Sequence, residues 1–277
     1  MSLVVFLIVL GAAALHASWN AVVKNGRDTL LTTILVASTA ALMSAAMLPF
    51  LPPVAPAAWP YLGLSALLEI TYYVLIATAY RLADMSRAYP LMRGTPPLIV
   101  ATVSTFALGI GLTPLGWGGI ACISAGILTL ALSGRGAADG RGLGFALLNA
   151  LVIASYTLVD GLGVRASGAA ASYTMWIFVL TGTPLALWAA WRRRDVFAYA
   201  AHNWRSALIG GVGTLASYGL VLWAMTEAPI PMVAALRETS ILFGTAIAAF
   251  VLREKVSTVR IAAVLIIAAG AALLRLA

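Results

Sequence analysis

Residues 88–97 read AYPLMRGTPP, and residues 234–243 read AALRETSILF. Laid over each other at a constant offset of 144, Arg93 falls on Arg237 and Thr95 on Thr239. The register continues without a gap through Phe106 on Phe250 and Gly126 on Gly270. Such an echo marks an internal duplication. The first spans extend it: ASWN (17–20) lies on ASYT (154–157), and Tyr73 falls on Tyr218.

Both stretches lie in a strongly apolar chain. It is 62% hydrophobic and only 9% charged over 277 residues, against ~25% charged for a soluble domain. Runs of ~20 apolar residues recur, each long enough to cross a hydrocarbon core as a helix. Lipid offers no partner to a free backbone group, so helices are expected. The short alternating segments of a membrane β-barrel are missing from the pattern.

Ten spans are predicted, at 3–23, 29–50, 59–80, 86–109, 114–132, 142–161, 171–191, 205–225, 229–251 and 257–275. The Gly-rich stretch 133–141 falls between two five-span halves, 1–132 and 142–277. Five is odd, so tandem copies must cross the membrane in opposite directions. The expected fold is therefore an all-α membrane protein, two five-helix inverted-topology repeats around a central cavity. A fused duplication needs no partner to complete its symmetry, so a monomer is expected.

Charge sets the orientation. The loops after spans 1, 3, 5, 7 and 9 hold thirteen of the Lys and Arg residues; the other side holds Arg165 and Arg275. The positive-inside rule puts both termini outside a bacterial inner membrane. The basic balance is thus a topology signal, and no nucleic-acid partner is expected. One cysteine, Cys122, and two histidines, His16 and His202, make no metal-ligand set, and no cofactor is expected. The N-terminal apolar stretch lacks the positive start of a signal peptide, and the repeat argues that it stays.

Ten spans in two halves, LREK (252–255) after span 9 and a Gly-rich last span resemble the drug/metabolite transporter superfamily, EamA type. Glu254 matches that family's acid after the ninth span and Gly270 its glycine in the tenth; Ile110 replaces the equivalent acid in the first half. Within the superfamily the chain is most similar to YddG-like aromatic amino-acid exporters. The resemblance implies a ten-helix bundle whose central cavity opens to each side in turn.

Intramembrane polar residues are costly and therefore mark function. Arg93 and Arg237 come first, each ~12 Å into its span. Either clamps a carboxylate or phosphate, or pairs with a buried acid, Glu238 or Glu69. Pro90, Pro96 and Pro97 interrupt span 4 and are the hinge candidates. Pro229 and Pro231 open span 9, as prolines do, so the mid-span break is expected in the first half alone.

Helical spacing collects the other candidates. Ala12, His16, Trp19 and Val23 share a face of span 1, with Asn20 beside it. Asn149, Ile153, Tyr156 and Asp160 form the matching face of span 6, flanked by Thr157. Glu69, Tyr73, Ile76 and Tyr80 share a face of span 3; span 8 offers Ser217, Tyr218 and Trp223. The candidate cavity set is His16, Trp19, Asn20, Tyr73, Arg93, Tyr156, Tyr218 and Arg237. Trp59, Tyr61, Trp188 and Trp191 fit an interfacial belt instead. Glu69 or Asp160 is the candidate for ion coupling, since span 1 has no acid.

The reading is a transporter exporting small amphipathic solutes, aromatic amino acids first. Sugar phosphates, nucleotide sugars or organic cations are the alternatives within the superfamily. A membrane enzyme needs a nucleophile beside a base; His202 is placed in a polar loop and His16 has no nearby acid in sequence. A channel would need a filter-like carbonyl loop or a ring of acids.

Overall fold

The computed structural model describes residues 1–24, 28–133, 140–193, 195–251, 253 and 256–277. Glu254, residues 134–139 of the expected linker, and Arg27, Arg135, Arg194 and Lys255 lie outside the described residues, as do the side chains of Val23 and Lys24.

The first half holds α1 (Leu3–Lys24), α2 (Thr29–Met47), α3 (Trp59–Leu82), α4 (Met85–Gly94), α5 (Pro96–Phe106) and α6 (Pro114–Ser133). The second holds α7 (Gly140–Ser167), α8 (Ala170–Arg192), α9 (Val196–Glu227), α10 (Ile230–Arg237), α11 (Ser240–Ala246) and α12 (Thr258–Leu276). A π-helical turn, Ile247–Val251, follows α11. Among the described residues no strand forms. Nine helical spans among the described residues are long and apolar enough to cross a membrane, one of them being Ile230–Phe250. The tenth expected span is α4 and α5, of 10 and 11 residues. Asp84, Arg87 and Arg93 make this stretch more polar than its neighbours. The protein is a multi-pass membrane protein.

Both Arg-bearing spans are interrupted, which corrects the expectation that only the first is. In span 4 neither Pro96 nor Pro97 can donate to the preceding turn, so α4 ends at Gly94 and α5 starts at Pro96. Thr95 keeps helical angles and accepts from Leu98 N. Pro90 lies inside α4 without ending it. In span 9 no proline acts. Glu238 and Thr239 take ψ near zero instead, and Glu238 N and Thr239 N donate three residues back, to Ala235 O and Leu236 O. That is a 3₁₀ turn, a common device at a mid-helix break. His202, expected in a loop, is helical within α9, whose kink falls at Asn203.

The helices pair along their lengths: α3 with α7, α1 with α9, α2 with α8, and α6 with α12. Small residues permit the tightest approaches. A Cβ at Gly270 would lie 2.7 Å from Gly119 O, and one at Gly126 would lie 3.0 Å from Ala263 O. At Gly182 a Cβ would meet Ala37 O at 2.5 Å. Backbones this close are how helices associate in lipid, where burial of apolar side chains gives no advantage over lipid contact. Leu42, Leu67, Val74, Leu187 and Leu265 point outward, as a lipid-facing surface requires.

The main apolar cluster fills one end of the bundle. It gathers Val5 and Val9 of α1, Leu62 of α3, Val164 of α7, Tyr173 and Ile177 of α8, Leu222 and Met225 of α9, and Ile230 of α10. At that end Arg165 caps α9, donating from Nε to Met225 O at 2.7 Å and from Nη2 to Ala228 O at 2.8 Å. These bonds satisfy carbonyls that a helix end leaves free.

The opposite end is tied by polar contacts. Asp28 accepts from Leu31 N at 2.9 Å, capping α2, and lies 2.9 Å from Arg193 Nη2. Tyr199 OH bonds Thr32 Oγ1 at 2.8 Å. The Leu31 N–H bond, with Arg193 adding to it, holds the Asp28 carboxyl below the usual carboxylate range. A folded-state pKa below the unfolded one stabilises the protein above ~pH 4, the unfolded value. This contribution is lost as pH falls through the lower folded value. Asp28→Ala is expected to lower stability by about 0.5–2 kcal/mol near neutral pH. The gap from wild type should narrow by pH 3 in thermal unfolding; a gap independent of pH would contradict this.

Candidate functional site

A cavity of about 180 Å³ lies beside the breaks in spans 4 and 9. Its wall takes Ala12, His16, Trp19 and Asn20 from α1, and Glu69, Tyr72, Tyr73 and Ile76 from α3. It takes Tyr89, Met92 and Arg93 from α4, Ile153 and Tyr156 from α7, and Phe178 from α8. Thr214, Ser217, Tyr218 and Val221 of α9 and Arg237 of α10 complete it. These positions cluster around the middle turns of α1, α3 and α7, with Phe178 before the midpoint of α8 and the α9 residues past its midpoint. The cavity therefore lies near the middle of the bundle, bordering the main apolar cluster at Ala12 and Val221. It is smaller than the ~300–1,000 Å³ of a drug-sized site, and suits one small solute.

All eight candidate cavity residues sit on this wall: His16, Trp19, Asn20, Tyr73, Arg93, Tyr156, Tyr218 and Arg237. The hinge candidates do not. Pro96 and Pro97 line a smaller cleft with Val100, Thr157, Ala234, Arg237 and Glu238, and Pro90 is buried within α4. On the α7 face, Ile153 and Tyr156 reach the cavity while Asn149 and Asp160 turn away. Asn149 Nδ2 meets Met92 Sδ at 3.2 Å. Trp223 is 36% exposed and off the wall. Of the belt candidates, Trp59, Trp188 and Trp191 are exposed, but Tyr61 packs inward, against Gly163.

Rings dominate the wall. His16 and Trp19 meet edge to face at 5.3 Å between centroids. Tyr72 meets Tyr73 at 5.2 Å and Tyr156 at 6.2 Å; Phe178 meets Tyr218 at 6.1 Å. Gly213 admits Trp19, since a Cβ there would lie 2.8 Å from the Trp19 Cβ. Tyr72, Tyr89 and Phe178 were not singled out from sequence. Tyr72 lies one position before Tyr73, off the face that spacing picks out, and Phe178 lies in the run MWIFVL (175–180), where lipid-facing and inner residues are alike apolar.

Among the described residues, three acids lie within the helical bundle, Glu238, Asp160 and Glu69, and they are used differently. Glu238, 2% exposed, places Oε2 2.9 Å from Arg93 Nε and Oε1 3.6 Å from Arg237 Nη2. One carboxylate thus sits between the two arginines, each on a different half. Arg93 Nη2 and Arg237 Nε, both buried, have no hydrogen-bond partner. A buried guanidinium N–H left unpaired is unfavourable by ~1–3 kcal/mol or more, so this arrangement is primed to accept a further oxygen. Asp160 accepts from Tyr173 OH at 3.1 Å and also from Tyr218 OH. Glu69 lies on the cavity wall itself.

Residues 140–276 match the EamA-like transporter family, a family of transporters rather than enzymes. The match covers the second half of the chain. A crystal structure of a protein with 18% sequence identity superposes with a TM-score of 0.73, covering 99% of this chain and 96% of the other. At that identity the likeness is one of fold. No curated protein matches the chain by sequence.

Proposed function

We propose that the protein is an alternating-access membrane transporter that exports small amphipathic metabolites, aromatic amino acids above all, as YddG-like exporters do. The observation that carries this is the pairing of a ring-lined cavity with buried guanidinium nitrogens, on Arg93 and Arg237, that lack hydrogen-bond partners. A solute carboxylate would meet those nitrogens. Its aromatic side chain would stack against Trp19, Tyr73, Tyr156 and Tyr218 at offset or edge-to-face geometry.

The family match over residues 140–276 supports transport. The helix pairing supports two inverted five-helix repeats, residues 1–132 and 142–277. Exchanging the halves turns α1 against α9 into α7 against α3, and leaves α2 against α8 and α6 against α12 unchanged. The glycines follow the same exchange: at the 144-residue offset, Gly119 maps to Ala263 and Gly126 to Gly270, and Gly119 meets Gly270 while Gly126 meets Ala263. With the positive-inside orientation, both termini lie outside a bacterial inner membrane. The main apolar cluster then closes the outer side of the cavity.

Counterflow in liposomes tests the reading. Vesicles preloaded with tryptophan should accumulate labelled tryptophan or phenylalanine. Trp19→Ala should weaken this about tenfold, the factor that 1.4 kcal/mol of lost ring contact gives. Folded protein that moves sugar phosphates or organic cations but no aromatic amino acid would overturn the substrate class.

A further inference from the structure

The cavity offers charge of both signs, which an aromatic ring set and an arginine clamp alone would not need. Two guanidinium groups, Arg93 and Arg237, stand on its wall. One carboxylate, Glu238, is spent on both of them behind the wall. Asp160 is engaged by Tyr173 and Tyr218 and does not line the cavity. Glu69 does line it, and among the described residues no salt bridge or hydrogen bond engages its carboxylate.

We propose that Glu69 is the ammonium-binding residue of this cavity, so that the site selects net-neutral α-amino acids over the corresponding acids and amines. The inference rests on the transport reading above. Glu69 and Glu238, when ionised, match the two guanidinium groups in number, while Asp160, off the wall, has its carboxylate held by Tyr173 and Tyr218. A zwitterion preserves that balance. A lone carboxylate or phosphate would add uncompensated negative charge in a setting where an unpaired ion is costly. Tyr72 and Tyr73 are close to Glu69 along α3, and Tyr156 faces Tyr72. Their ring faces are suited to lie beside an ammonium held by the carboxylate. Arg93 and Arg237, on other helices, would take the carboxylate end.

Three labelled solutes with one indole ring separate the ends: tryptophan, indole-3-propionate without the amine, and tryptamine without the carboxylate. In proteoliposomes at neutral pH, with protein-free vesicles as blank, wild type should exchange tryptophan at least tenfold better than either analogue. Glu69→Gln should raise the tryptophan KM at least tenfold and leave indole-3-propionate unchanged or faster. Glu69→Asp should restore part of the loss, and monodisperse elution should report folding. Tryptophan exchange unaltered in Glu69→Gln, an equal fall for tryptophan and indole-3-propionate, or a wild-type preference for the deaminated acid would each overturn the inference and leave the transport reading standing. Wild type that moves no indole solute would sink both.

Discussion

Glu238→Ala is expected to lower stability by about 3–5 kcal/mol, the loss that follows when one partner of a buried ion pair is removed. Glu238 is 2% exposed and Arg93 11% in their side chains, so little water can replace the lost partner. Arg237, 3.6 Å from the same carboxylate, is left with no compensating charge at that distance. The double variant Arg93→Gln/Glu238→Gln removes one charge of each sign. Its loss should fall short of the sum of the singles by ~0.5–3 kcal/mol. Chemical unfolding in detergent reads both. A loss under ~1 kcal/mol for Glu238→Ala would mean the pair is water-filled and open.

Gly270→Val should lower stability by at least ~2 kcal/mol, toward the upper range of overpacking effects. A Cβ there would stand 2.7 Å from Gly119 O and 2.9 Å from Ile123 N. Both are backbone atoms, so no rotamer change relieves the clash and α6 must separate from α12. Gly11 is the matched control: nothing lies within 4 Å of a Cβ at that position in α1. Gly11→Ala should be neutral or stabilising by up to ~1 kcal/mol, from helix propensity alone. Equal effects at the two positions would contradict the close packing of α6 on α12.

Much of this is legible in the sequence. The span pattern follows from hydropathy, because lipid demands long apolar helices and short polar loops. Arg93 and Arg237 announced themselves through the offset that aligns LMRGT with ALRET. His16, Trp19, Tyr73 and Tyr156 followed from three- and four-residue spacing of polar and aromatic groups. The break after Arg237 did not, since no proline or glycine marks it; a 3₁₀ turn at Glu238 and Thr239 is a choice of backbone that many sequences allow. Phe178 was hidden for another reason. In a span that is apolar all round, the residue facing the cavity looks like the residue facing lipid. Sequence also left Glu238 and Glu69 as equal partners for the arginines. Only the geometry separates a carboxylate lodged between two guanidiniums from one on the open wall.

The most direct test of the central claim is the location of a bound solute. A structure solved with tryptophan should show its carboxylate against Arg93 and Arg237 and its indole among Trp19, Tyr73, Tyr156 and Tyr218. Tryptophan found outside this cavity, or with its carboxylate turned away from both arginines, would contradict the account.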